Sequence, residues 1–73
     1  MIENLLNEWA ELQKQAPARI VGDIQKKTGR EIAIAESLKQ AGYTGELNGF
    51  PVQFAIDDRK RAMREMLDNL RSL

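Results

Sequence analysis

Residues 47–56 read Leu-Asn-Gly-Phe-Pro-Val-Gln-Phe-Ala-Ile, and this stretch decides the predicted fold. Asn48-Gly49 is the residue pair most typical of a two-residue type I′ turn between antiparallel strands. The apolar residues after the turn are spaced two apart: Phe50, Val52, Phe54 and Ile56. Such a spacing is typical of a strand with one buried face. The stretch therefore predicts a β-hairpin, with an irregular loop as the competing interpretation because Gly45 weakens the first strand.

A type I′ turn at this pair also sets the strand register. It places three pairs of residues opposite one another: Leu47 with Phe50, Gly45 with Val52, and Tyr43 with Phe54. Pro51 is compatible with this register, because it falls in a non-hydrogen-bonded pair with Glu46 and its missing N–H points away from the partner strand. We therefore expect one side of the hairpin to be buried through Leu47, Phe50, Val52 and Phe54.

The segment before the hairpin carries apolar residues at helical spacing. The first set lies over about residues 2–15 and places five side chains on one helix face: Ile2, Leu5, Leu6, Trp9 and Leu12. Pro17 ends this helix, because the residue before a proline is disfavoured in the α conformation. Pro17 also suits the first turn of a second helix, which ends near Lys26 and Lys27. The apolar stripe of that helix is Ile20, Val21 and Ile24.

Thr28-Gly29-Arg30-Glu31 matches a capping box, in which a threonine and a glutamate bond each other's backbone N–H groups at a helix start. The match predicts a third helix from Thr28 to about Ala41. Gly42 is then well placed as the left-handed residue that follows a helix end, which lets Tyr43 fold back on the helix.

Asp57 or Asp58 is predicted to cap a last helix over about residues 58–72. The interior side of that helix is formed by a stripe of apolar residues: Met63, Met66, Leu67, Leu70 and Leu73. Together these elements predict a mainly α fold, a small bundle of three to four helices with a short β-hairpin before the C-terminal helix.

The chain has 73 residues, so we expect a single compact domain over residues 1–73. A domain of this size buries only about 60% of the surface that its unfolded chain exposes. Nearly every large apolar side chain is therefore needed for the core. Dimerisation would be an easy way for so small a domain to gain stability.

The composition argues against catalysis, since the chain contains no cysteine and no histidine. Their absence removes the usual zinc ligands and the commonest general base. No glycine-rich phosphate-binding motif occurs, and the Asp57-Asp58 pair is better explained as a helix cap than as an acid pair. We therefore expect a protein that is not an enzyme and that holds no metal and no cofactor.

The sequence also bears on location. No apolar run approaches the roughly 20 residues that span a bilayer. The first residues carry no positive charge of the kind that opens a secretory signal. We therefore expect a cytoplasmic protein with no membrane partner.

The formal net charge is zero, but the charges are segregated along the chain. Residues 1–13 carry −3, residues 14–30 carry +4, residues 31–58 carry −4 and residues 59–73 carry +3. A neutral protein can therefore still present strong local patches, unless the acidic and basic elements neutralise each other within the fold.

We predict a binding face on the basic side of the last helix, extended to basic residues before and within the third helix. Arg59 and Lys60 have no acidic residue three or four positions further along their helix, so intrahelical pairing does not explain them. An acidic surface on a partner would supply the missing counter-charge. The predicted partner-binding residues are Arg59, Lys60, Arg61, Arg64, Lys26, Lys27 and Arg30.

These observations favour a small regulatory or adaptor protein that binds a protein partner through a charged helical face. The second hypothesis is a winged helix-turn-helix regulator that binds DNA, with Gly29 in the turn and Asn48-Gly49 at the wing tip. A net charge of zero argues against it, because DNA-binding modules usually carry an excess of basic residues. The third hypothesis is a helical homodimer with an assembly role.

Overall fold

The computed structural model describes residues 1–72. Within them the chain forms three helices and one antiparallel two-stranded hairpin. Their order is α1 (Ile2–Lys14), α2 (Val21–Gln40), β1 (Glu46–Leu47), β2 (Phe50–Pro51) and α3 (Val52–Arg71). The predicted fold class is confirmed: the molecule is a small, mainly α bundle with a short hairpin before its C-terminal helix.

The hairpin turns at the predicted residues. Asn48 has φ 54° and Gly49 has φ 83°, the two positive values that a type I′ turn requires. Leu47 lies opposite Phe50 and Glu46 opposite Pro51, as the register predicts. The two further pairs predicted for this ladder, Gly45 with Val52 and Tyr43 with Phe54, are wrong, because the chain has already entered α3 at Val52.

Helix α3 begins earlier than the predicted residue 58. Pro51 is its N-cap residue, with φ −55° and ψ 151°. The buried residues after it are spaced as on a helix face: Val52, Ala55 and Ile56. The prediction that Asp57 or Asp58 caps the helix is wrong, since both lie inside it. Asp57 instead accepts a hydrogen bond from Gln53 Nε2 at 2.9 Å.

The early start of α3 changes which aromatic side chains are buried. Leu47 and Val52 are buried as predicted. The predicted burial of Phe50 and Phe54 is wrong, since these side chains are 50% and 46% exposed. On a helix, residue 54 does not share a face with residues 52 and 56 as it would on a strand, so Phe54 turns away from the core.

The second and third predicted helices are one continuous helix, α2. Thr28 and Glu31 lie in its middle and are both buried, so the prediction of a helix start at Thr28 is wrong. The carboxylate of Glu31 accepts hydrogen bonds from α1 and α3 instead of capping a backbone N–H. The helix begins at Val21, after Ile20 in an extended conformation, so the prediction that Pro17 lies in its first turn is wrong.

Predictions at the first helix and at the end of α2 are confirmed. Helix α1 matches the predicted span closely, and its Trp9 lies in the core. Gly42 has φ 85°, and the Tyr43 N–H donates to the Leu38 carbonyl at 3.0 Å. This bond is the one expected when a left-handed glycine ends a helix and the next residue folds back.

The apolar core occupies the end of the molecule near the hairpin. Its buried residues are Trp9, Ile34, Ala35, Leu38, Leu47, Val52, Ala55 and Ile56. Helices α2 and α3 pack against each other antiparallel, with Glu36 beside Lys60 and Lys39 beside Gln53, and α1 packs on α2.

The opposite end of the α2/α3 pair consists of residues 20–29 and 63–72, which we call the open end. Within it no large apolar side chain is buried. The prediction that Leu67 and Leu70 face the interior is wrong, since they are 41% and 39% exposed. Leu73, the last residue of the predicted stripe, lies outside the described residues. Met63 and Met66 are only partly buried.

Candidate functional site

Arg59, the first residue of the predicted binding face, lies within the fold. Its side chain is 23% exposed, and its Nε donates to Glu31 Oε2 at 3.3 Å. The guanidinium carbon lies 5.4 Å from the centre of the Trp9 ring, within cation–π distance. The premise that Arg59 lacks a counter-charge is therefore wrong, because Glu31 of α2 provides one.

Arg59 belongs to a polar cluster that joins all three helices to the hairpin turn. Gln13 Nε2 donates to Glu31 Oε2 at 2.6 Å, and Asn48 Nδ2 donates to Gln13 Oε1 at 3.1 Å. Trp9 Nε1 donates to Asn48 Oδ1 at 3.2 Å. Because these groups bond one another, the cluster stabilises the fold and offers little to a partner.

Three more of the predicted residues form exposed ion pairs. Lys60 lies 3.3 Å from Glu36, Arg61 lies 3.1 Å from Asp58, and Arg30 pairs with Glu8. Exposed pairs of this kind contribute about 0–1 kcal/mol each to folding. Such weak pairs open readily, so these cations remain available to a stronger acidic group.

Arg64 differs from these residues, because none of the salt bridges among residues 1–72 involves it. It lies on the rim of an open groove of about 340 Å³ between α2 and α3. We call this the α2/α3 groove; its lining residues are Ile32, Lys60, Met63, Arg64, Leu67, Asp68 and Arg71. The groove combines three apolar side chains with three cations and one carboxylate.

Five of the seven groove residues were not part of the predicted binding face: Ile32, Met63, Leu67, Asp68 and Arg71. Arg71 is seven residues after Arg64 on the same helix, so the two share one face, and this spacing could have revealed it. Like Arg64, Arg71 takes part in none of the salt bridges between described residues. Ile32 comes from α2, and only the packing of the two helices places it in the groove.

Lys26 and Lys27 do not belong to this groove. Lys27 lines a separate recess of about 390 Å³, where it lies with Glu31, Arg59 and the chain between α1 and α2. Lys26 is exposed on α2. The structure therefore does not join the seven predicted residues into one face: of them, it brings Lys60 and Arg64 together in the groove.

A second exposed feature is a pair of aromatic rings at the hairpin. The rings of Phe50 and Phe54 stack with centroids 4.4 Å apart and planes inclined by 24°. Beside them is a cleft of about 240 Å³ whose lining includes Trp9, Asp58 and Arg59. The period-two pattern hid this feature, because it predicts both phenylalanines to be buried.

The helix-turn-helix predicted with its turn at Gly29 is not formed. Helix α2 continues through Gly29, where the turn between two helices was predicted. Two charged residues of this helix are engaged in ion pairs: Arg30 pairs with Glu8, and Glu36 pairs with Lys60. The hairpin predicted as the wing is present at Asn48-Gly49, but the two helices predicted to meet at Gly29 are one continuous helix.

Comparison of the chain with protein-family models, with curated proteins and with solved structures gave no match. None of the helices in residues 1–72 is long and apolar enough to cross a membrane.

Proposed function

We propose that this chain is a non-enzymatic binding protein that docks a protein partner in the α2/α3 groove. One observation carries the proposal: Arg64 and Arg71 form no salt bridge within residues 1–72 and flank an apolar groove at the end of the molecule that has no buried core. Exposed apolar surface with a polar rim is typical of protein interaction sites.

The groove suits protein better than nucleic acid. Met63, Leu67 and Ile32 offer an apolar surface that accepts side chains, whereas a phosphate backbone calls mainly for cations. Asp68 lies among the cations of the groove and would repel phosphate. The net charge of zero likewise gives no general attraction to DNA. The expected partner surface therefore combines apolar side chains with carboxylates that reach Arg64 and Arg71.

Site-specific photo-crosslinking in the native cells tests the proposal. A photoreactive phenylalanine analogue replaces Leu67 in the groove, and in a matched control it replaces Asn7, which is exposed on α1. We expect a protein adduct at position 67 that is absent at position 7. Adducts with nucleic acid at position 67 would support the DNA-binding hypothesis instead. Equal adducts at both positions, or none at position 67, would refute the proposal.

A further inference from the structure

The molecule exposes more surface than a compact chain of its size. A folded monomer of 8.3 kDa is expected to expose about 4,600 Å², whereas this chain exposes 5254 Å². Its radius of gyration is 12.8 Å, against about 11 Å for a compact domain of this length. The excess approaches the roughly 800 Å² that each partner buries in a standard protein interface.

Much of the exposed apolar surface lies at the open end. Four of the large apolar side chains that are exposed are found there: Ile20, Val21, Leu67 and Leu70. Helix α1 ends at Lys14 and its buried residue, Trp9, belongs to the core at the other end. The open end is therefore where the chain has most to gain from a partner.

We propose that the occupant of the α2/α3 groove is a second copy of this chain, with the two α3 helices packed antiparallel about a twofold axis. The proposal rests on the proposed function and names its partner. A net charge of zero means that two copies do not repel each other as a whole. In a twofold interface the same patch of both copies is in contact. The residues of α3 must therefore be complementary to the same residues read in the reverse order.

One pair of oppositely charged residues on α3 meets that requirement. Arg64 and Asp68 lie one turn apart and both line the groove, but they form no salt bridge with each other. An antiparallel pairing centred at Met66 sets Arg64 opposite Asp68 of the second copy, and Asp68 opposite Arg64 of the second copy. The ion pair is thus made twice in one interface.

Sedimentation equilibrium on the purified full chain, from micromolar to hundreds of micromolar, tests the proposal. We expect a reversible monomer–dimer equilibrium. Arg64→Asp and Asp68→Arg each replace both interface pairs by like charges, so each should weaken the dimer by about tenfold or more. The double variant Arg64→Asp with Asp68→Arg restores opposite charges and should recover the dimer. Circular dichroism should show each variant to be as helical as the native chain, because both residues are exposed.

Three outcomes would overturn the inference. The first is a monomer at every concentration. The second is a dimer that both single variants leave unchanged, and the third is a dimer that the double variant fails to recover. A dimer weakened instead by Phe50→Ser would place the interface at the aromatic pair. If the chain is monomeric but position 67 crosslinks to a different protein in cells, the second-copy inference fails and the proposed function stands. If position 67 gives no protein adduct either, both fail.

Discussion

Replacing Glu31 by glutamine separates the role that the sequence suggests for this residue from the role it has in the structure. A capping box accepts either glutamate or glutamine, so glutamine would be tolerated if Glu31 capped a helix start at Thr28. In the structure Glu31 is only 5% exposed, and its Oε2 accepts hydrogen bonds from Gln13 at 2.6 Å and from Arg59 at 3.3 Å. Glutamine preserves the size of the side chain but removes the charge that faces Arg59.

The size of the effect follows from these contacts. A hydrogen bond to a charged group contributes about 1.5–3 kcal/mol to stability. Arg59 is partly exposed and also pairs with Asp58, so it keeps one carboxylate when Glu31 is neutral. We therefore expect Glu31→Gln to lower the free energy of unfolding by about 2 kcal/mol. For a domain of this length that corresponds to a fall of about 10 °C in Tm.

Urea denaturation followed by circular dichroism measures this change, at one fixed protein concentration because self-association would add to the apparent stability. The matched control is Glu36→Gln, which removes the same charge from the exposed pair with Lys60. The control should change stability by no more than about 0.5 kcal/mol. If the two variants are equally stable, Glu31 is not a buried ionic partner and the account of the polar cluster is wrong.

Three further substitutions test the fold by the same urea assay. Gly22→Ala should raise the free energy of unfolding by about 0.5 kcal/mol. Gly22 is the second residue of α2, and a Cβ added there meets no atom within 4 Å. No gain would indicate that α2 is frayed at this point. Gly49→Val should lower the free energy of unfolding by about 1–2 kcal/mol, since the φ of 83° is strained for a branched residue. Gly49→Asn is the control and should lower the free energy of unfolding by less. Equal losses for the two variants would argue against backbone strain. Phe54→Ser should lose only about 1 kcal/mol, whereas Leu38→Ala in the core should lose about 2–5 kcal/mol. A larger loss for Phe54→Ser would mean that this side chain is buried in solution.

Features set by neighbouring residues could be predicted from the sequence. The Asn48-Gly49 turn, the pairing of Leu47 with Phe50 and the left-handed Gly42 each depend on backbone preferences within a few residues. Helix α1 also follows from local spacing. The long-range contacts behave differently: Glu31 is 18 residues from Gln13 and 28 from Arg59, so its buried position leaves no local signal, and a capping box is the natural interpretation of its neighbourhood.

The boundary at Val52 shows a second limit of sequence reasoning. Val52 and Ile56 are four residues apart, a spacing that satisfies both a strand and a helix. Phe50 and Phe54 share a face with Val52 and Ile56 only if the strand continues through residue 56. The structure ends the strand at Pro51, where the proline occupies the N-cap position of α3. Pattern alone could not choose between the two outcomes, because the choice depends on which face α2 and α1 cover.

The basic residues of α3 are of two kinds: some contact buried groups of the fold, and others face the groove. Arg59 and Arg64 are five residues apart, so they point to different sides of the helix. Arg59 faces Glu31 and the Trp9 ring, whereas Arg64 faces the α2/α3 groove. Reversing the charge of Arg59 would place a second carboxylate beside the buried Glu31 and should destabilise the fold. Reversing Arg64 disturbs no buried group, so a loss of association there reports on binding itself. The groove lies outside the core, so the binding proposed for it can be tested with substitutions that leave the fold intact.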